Sequence, residues 1–231
     1  MVERKLMIAF EGWILSRALR LQRLTWRAHI EGREHLQHLY ATGEAFLLCF
    51  WHGKYVPIFP LLEGYEALVI SSLSKRGRLI AEICESFGYR STLIPDQPTH
   101  DSLRLMEGIL SRARAGAFAV DGPLGPRHRV KSGVIRIAST FGFRLLPASV
   151  GSRGKIVFDK RWDRLEIPLP FARVCLVIGE PITVSPGLRS KEVREWADNL
   201  GKIIERLDRK AEYVASRNGD QKEYPEDFNR L

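Results

Sequence analysis

Four short segments of this 231-residue sequence carry the side chains best suited to chemistry: Trp51-His52-Gly53-Lys54, the run from Ser72 to Arg78, Pro95-Asp96, and the run from Asp121 to Lys131. Each follows an apolar run with strand character, so each starts where a strand gives way to a loop or helix. In an open α/β sheet, ligands bind outside the carboxyl ends of the parallel strands. One imidazole, several carboxylates and a group of cations are thereby directed to a common edge. An imidazole between a strand and a helix start is well placed to act as a general base. A histidine after a strand is also often a structural hydrogen-bonder, and Gly-Pro segments such as 121–126 also build plain turns. Ser71, Ser72 and Ser74 suit a helix cap. Lys75, Arg76 and Arg78 do not, because cations oppose the positive end of the helix dipole. A bound anion would resolve that conflict.

Alternating apolar runs and helical stretches supply the frame. Strands are expected at residues 45–50, 67–71, 90–94, 117–120, 144–150, 155–158 and 173–178, with helices at 55–62, 77–87, 101–115 and 133–140 between the first five. This alternation predicts a single α/β domain with a mixed, mostly parallel sheet flanked by helices. The last two strands have no helix between them and are expected to pair antiparallel or to form a mixed portion. A C-terminal helix is expected from residue 190 to about 215, followed by a polar, frayed tail. A long amphipathic helix opens the chain. On a 3.6-residue wheel Ser16, Arg20, Arg23 and Arg27 form a basic stripe. Leu6, Phe10, Trp13, Ile14, Leu21 and Leu24 lie roughly opposite, interrupted by Arg17. Such a helix suits a membrane interface, or equally a domain surface with its arginines in water.

Composition narrows the class. Lys and Arg exceed Asp and Glu by nine, and residues 121–164 hold ten basic residues against three acidic ones. A basic zone of this kind suits a phosphate, an anionic membrane or a nucleic acid. No nucleic-acid module is recognisable, so no nucleic-acid partner is expected. Cys49, Cys84 and Cys175 are far apart in apolar runs and read as buried, reduced thiols. No G-x-S-x-G elbow, P-loop, G-x-G-x-x-G or metal-ligand spacing is present, and no metal or prosthetic group is expected. The N-terminal uncharged stretches reach five residues, against the ~20 that a spanning helix requires, so the chain is expected not to cross a membrane.

The same segments carry a family resemblance. Phe50-Trp51-His52-Gly53-Lys54 resembles the W-H-G block of an uncharacterised bacterial branch of the lysophospholipid acyltransferase-like superfamily, which includes the 1-acylglycerol-3-phosphate acyltransferases. Val120-Asp121-Gly122-Pro123-Leu124-Gly125-Pro126-Arg127 resembles its D-G-P-x-G-P-R block, followed by Lys131-Ser132-Gly133. Trp162-Asp163-Arg164, Ile167-Pro168-Leu169-Pro170-Phe171 and Gly179-Glu180-Pro181-Ile182 continue the match in order, and Leu146-Pro147 sits where the superfamily has a later apolar-Pro block. The likeness covers about residues 43–184. It implies transfer of a fatty acyl group from a thioester, acyl-CoA or acyl carrier protein, to a hydroxyl of a phosphate-bearing lysolipid, as in phospholipid biosynthesis. In that superfamily the histidine of an H-x-x-x-x-D motif removes the acceptor's proton and the carboxylate orients the imidazole. His52 matches the histidine, whereas the aspartate position holds Pro57. Arg76-Gly77-Arg78 stands where the branch carries D-G-E.

The sequence thus predicts an N-terminal amphipathic helix and connector over 1–42, an acyltransferase-like domain over 43–215 and a polar tail over 216–231. His52 is the expected base. Asp121 is the first choice to orient it or to bind substrate, and Asp96 the second. Lys75, Arg76, Arg78, Gly122, Pro123, Arg127 and Lys131 are the expected substrate-binding residues, with Arg127 as the main phosphate contact. His128, between two arginines, is expected to favour its neutral form in a solvated loop. The partners expected are the lipid acceptor, the thioester donor and an anionic membrane surface, with the protein peripheral on its cytoplasmic face. The competing expectation is a non-catalytic lipid- or anion-binding protein on the same fold. The two differ in whether a carboxylate reaches His52.

Overall fold

A computed structural model of the chain describes residues 2–95, 106, 108–110 and 112–217, with the side chains of 2–5 excepted. The elements run α1 (Val2–Thr25), β1 (Arg27–Glu31), α2 (Arg33–Thr42), β2 (Phe46–Phe50), a 3-10 turn (His52–Lys54), α3 (Tyr55–Leu61), β3 (Leu68–Ser72), α4 (Lys75–Ser86), β4 (Arg90–Ile94), β5 (Ala115–Ala119), α5 (Ser132–Phe141), β6 (Arg144–Val157), β7 (Glu166–Ile178) and α6 (Ser190–Ser216). Met106 and residues 108–110 are also helical. The seven strands form one sheet in the order β1-β7-β6-β2-β5-β3-β4. Every neighbouring pair is parallel except β6 and β7, which run antiparallel.

The central strand β2 shows how the sequence produces this arrangement. All five of its residues are buried. Phe46, Leu48 and Phe50 enter a cluster with Ile58, Phe59, Ile83 and Cys84 from α3 and α4, while Leu47, Cys49 and the following Trp51 enter a cluster with Val134, Ile135, Leu200 and Ile204 from α5 and α6. The period of two along a strand thus distributes an unbroken apolar run over two helical layers, as a strand buried on both faces requires.

Three expectations change. The stretch expected as connector contains β1, an edge strand pairing parallel with β7 from Arg27↔Arg173 to Glu31↔Val177. Its sequence, Arg-Ala-His-Ile-Glu, reads as polar because an edge strand is only half buried. The strands expected at 144–150 and 155–158 are one long strand, β6, with a register shift between Arg153 and Lys155. Gly154 sits there at φ 86°, and bulges of this kind bend a strand pair. The expected helix at 101–115 falls largely outside the described residues, as do the expected tail beyond Arg217 and Asp96.

The third change concerns α1. Ile8, Gly12, Ser16 and Leu19 form its buried side, and the helix packs on α4. The stripe expected to face water therefore turns inward at Ser16, Arg20 and Arg23. Arg20 reaches Glu63 at 2.8 Å and lies 4.6 Å above the Phe87 ring. Leu6, Phe10, Trp13, Ile14, Leu21 and Leu24 all face outward and are exposed, Leu24 by 80%. Small residues on the inner side allow close approach to α4, and Arg20 finds an aromatic and a carboxylate partner there, so packing favours this rotation. Among the described residues no helix is long and apolar enough to cross a membrane.

Candidate active site

His52 opens the 3-10 turn immediately past β2. Asp121 lies just past β5, the strand beside β2 in register Phe50↔Ala119. Val120 N–H donates to the Phe50 carbonyl at 2.9 Å, which carries the pairing one residue beyond the strands. The Asp121 carboxylate is buried and accepts the backbone N–H of His52 at 2.8 Å and that of His128 at 3.3 Å. Burial pushes its carboxyl above the usual range, against those backbone hydrogen bonds. Asp121 therefore ties two loops together and does not meet the imidazole ring.

The carboxylate that does is Asp163, in the connection between β6 and β7. Its Oδ2 lies 2.7 Å from His52 Nδ1. The side chain of Asp163 is fully buried, and Arg161 donates to it through Nε at 2.8 Å and Nη2 at 2.6 Å. Burial opposes ionisation of Asp163, but the hydrogen bonds from Arg161 and His52 outweigh it and hold the carboxyl below the usual range. An ionised carboxylate only accepts. His52 Nδ1 must then carry the proton, which leaves Nε2 as the basic nitrogen. This is the tautomer that a general base requires.

The connection reaches His52 because the β6–β7 hairpin runs past the end of β2 and curls back. Within its tip Phe158 N–H donates to the Leu165 carbonyl at 2.9 Å and Arg161 N–H to the Phe158 carbonyl at 3.0 Å. Two glycines permit the close fit. A Cβ on Gly53 would lie 2.3 Å from the Asp163 carbonyl oxygen, and one on Gly125 would lie 2.6 Å from the Trp162 ring. Trp162 and Tyr55 flank the imidazole at ring distances of 5.2 and 5.4 Å.

His128 is not a solvated loop residue. It stacks on the buried Trp51 indole at 4.7 Å, with a positive φ of 58°. Burial, with Arg127 beside it, lowers its pKa to about 4, so it is neutral at ordinary pH. Lys54 is almost wholly buried and meets Glu166 at 2.8 Å, Glu212 at 2.8 Å and Asp208 at 3.1 Å. Burial disfavours its charge, but the three carboxylates more than offset that and raise its pKa, so it stays an ammonium.

The expected anion-binding residues divide. Arg127 is half-buried, and its Nε has no hydrogen-bond partner. Arg76 is exposed near the crevice, close enough for its charge to act on Tyr55. Gly122 adopts φ 73° directly after Asp121, and Pro123 is exposed beside it. Lys131 Nζ donates to the Gly125 carbonyl and so closes its own loop. Lys75 pairs with Glu11 on α1 at 3.4 Å, and Arg78 Nε donates to the Leu73 carbonyl at 3.1 Å. Ser74 caps α4 by accepting Gly77 N–H at 3.1 Å, which satisfies a donor that a bound anion would have used.

In the sequence, Trp162-Asp163-Arg164 carries the family resemblance but gives the aspartate no role. The available signal was the shortage of acids: residues 121–164 contain only Asp121, Asp159 and Asp163.

The fold and this dyad are those of an α/β domain with a His–Asp pair at the carboxyl edge of its sheet. Among solved structures, the chain is similar to the crystal structure of the 1-acyl-sn-glycerophosphate (LPA) acyltransferase, PlsC, from Thermotoga maritima. The TM-score is 0.53 with 18% identity, over 94% of this chain and 81% of that one. At that identity the likeness shows a shared fold alone. The uncharacterized protein RP090 of Rickettsia prowazekii (strain Madrid E) is 26% identical over 151 residues, covering 63% of this chain and 67% of that protein. No protein-family model matches the sequence.

Proposed function

We propose that this chain is a membrane-peripheral O-acyltransferase that moves a fatty acyl group from a thioester donor to a hydroxyl of a phosphate-bearing lysolipid. The His52–Asp163 pair carries the reading, because it supplies a base with a fixed tautomer where the H-x-x-x-x-D aspartate is missing. His52 Nε2 takes the hydroxyl proton as the oxygen attacks the thioester carbonyl. The tetrahedral intermediate collapses with cleavage of the carbon–sulfur bond. The imidazolium then returns its proton to the departing thiolate, and His52 is restored. Asp163 holds the ring and stabilises the imidazolium without being protonated. Asp121 fixes the backbone of the turn. Arg127, with its unpartnered Nε, and Arg76 are the cations that would meet the acceptor's phosphate.

The membrane part of the proposal rests on the rotation of α1. The outward apolar stripe adjoins Leu169 and Phe171, the latter 75% exposed, in a bulge of β7 that is joined to α1 by Phe171 N–H donating to Thr25 Oγ1 at 2.9 Å. Arg17, over the Trp13 ring at 5.6 Å, places a cation within this surface. An apolar face carrying tryptophan and arginine suits an anionic bilayer interface on the cytoplasmic side. A non-catalytic binder would not need a carboxylate on the imidazole, and Asp163 supports the enzyme over that reading. The test is lipid mass spectrometry of cells with and without the protein, followed by an acyl-transfer assay on the lyso-species that accumulates. Accumulation that is reversed by wild-type protein but not by H52A supports the proposal. An unchanged lipid profile together with no transfer to lysolipids would overturn it.

A further inference from the structure

The turn that carries His52 is held from a second point two residues on. Lys54 has a side chain only 3% exposed, and its Nζ lies 2.8 Å from Glu166, three residues beyond Asp163. His52–Asp163 and Lys54–Glu166 are two contacts between the same two segments, the 3-10 turn and the start of β7 with its preceding loop. Asp208 and Glu212 bring α6 to the same ammonium at 3.1 and 2.8 Å. Asp208 in turn accepts Ser149 Oγ from β6 at 2.7 Å. Lys155 bonds Glu166 at 2.8 Å and also reaches Glu212, but it belongs to β6 and meets the turn only through the carboxylates it shares with Lys54.

We infer that Lys54 is a positioning residue for the His52–Asp163 pair, fixing the turn against β7 so that Nδ1 stays on the Asp163 carboxylate. The inference rests on the proposed role of His52 as base. A buried ammonium with three carboxylate partners has one satisfactory position, and it adds a hold at Lys54 to the two that Asp121 and Asp163 make at His52. Lys54 never meets the acceptor. It acts through the imidazole, by keeping a reacting geometry that tolerates little displacement.

The first readout is the imidazole itself and needs no substrate. In wild type, the proton NMR spectrum should show a downfield Nδ1 proton, assigned to His52 by its loss in His52→Gln. Lys54→Met should lose or displace that signal and lower kcat at least tenfold with KM little changed. Lys155→Met removes the same charge from the same cluster without touching the turn, and should leave the signal in place. If Lys54→Met does not fold, Glu166→Ala removes the contact to β7 while Asp208 and Glu212 still hold Lys54, and the same displacement is expected in smaller degree. A folded Lys54→Met or Glu166→Ala protein with the wild-type signal overturns the inference. So does Lys155→Met matching Lys54→Met. Loss of the signal in a protein that shows no acyl transfer would leave the positioning intact and sink only the proposed reaction.

Discussion

At the scale of single residues, the site depends on which carboxylate faces which nitrogen. Asp121 and Asp163 both reach His52, one through its backbone N–H and the other through its ring. Their replacement should therefore differ. His52→Ala should abolish acyl transfer with the fold retained. Asp163→Asn should lower turnover by about 10²–10⁴-fold, since an amide no longer selects the Nδ1–H tautomer of a positioned base. Asp121→Asn should cost less in turnover. Initial rates for the three variants, with circular dichroism for folding, decide the assignment. His128 allows a second prediction. Its folded pKa, about 4, lies below the ordinary 6.5 because of burial and Arg127. Between those values the unfolded chain binds more protons than the folded one, so acid destabilises the fold. The contribution is complete above about pH 6.5 and is lost as pH falls toward about 4. Asp163, depressed, acts in the same sense at lower pH, and Asp121, raised, acts in the opposite one. The melting temperature should fall across that window, and His128→Asn, which tolerates the positive φ, should flatten the fall.

At the scale of elements, α1 and the β7 bulge form one apolar surface from two distant parts of the chain. Hydrogen bonds from Phe171 N–H to Thr25 and from Gln22 to the Pro168 carbonyl join them. The Leu169→Ser/Phe171→Ser double variant should weaken sedimentation with anionic vesicles severalfold, and added salt should weaken the wild type as well. Both side chains are exposed, so the melting temperature should change little. Unaltered vesicle binding in this variant would confine the membrane contact to α1. The helix also shows why an amphipathic wheel is not enough. The two stripes were readable, but which one faced the domain depended on α4, Phe87 and Glu63, and none of these is near α1 in sequence.

At the scale of the whole molecule, the sheet joins residues 27–31 to 173–177 and so brings the N-terminal segment into the same sheet as the long hairpin. Cys49, Cys84 and Cys175 lie in its core, and burial pushes all three thiols up, Cys175 to about 12. Disulfide-exchange reagents should therefore label the native protein only as fast as it opens, with labelling rates tracking denaturant-induced unfolding. Rapid labelling in buffer would show that one of these core regions opens locally.

The sequence by itself determined the α/β alternation, the parallel core strands, the C-terminal helix and the position of His52 past β2. These rest on local periodicity, which a linear reading records directly. The edge strand β1 escapes because, although Arg27-Ala28-His29-Ile30-Glu31 alternates, it offers only two apolar residues over five positions, too short a run to stand out. Only the tertiary structure decided the partner of the imidazole, since Asp163 is 111 positions away and arrives on the hairpin between β6 and β7. It also decided that α1 turns Arg20 and Arg23 inward, and that Lys54 is held by carboxylates from β7 and α6. Contacts between remote segments are fixed by packing and hydrogen-bond satisfaction across the folded chain, and no short window of sequence contains both partners.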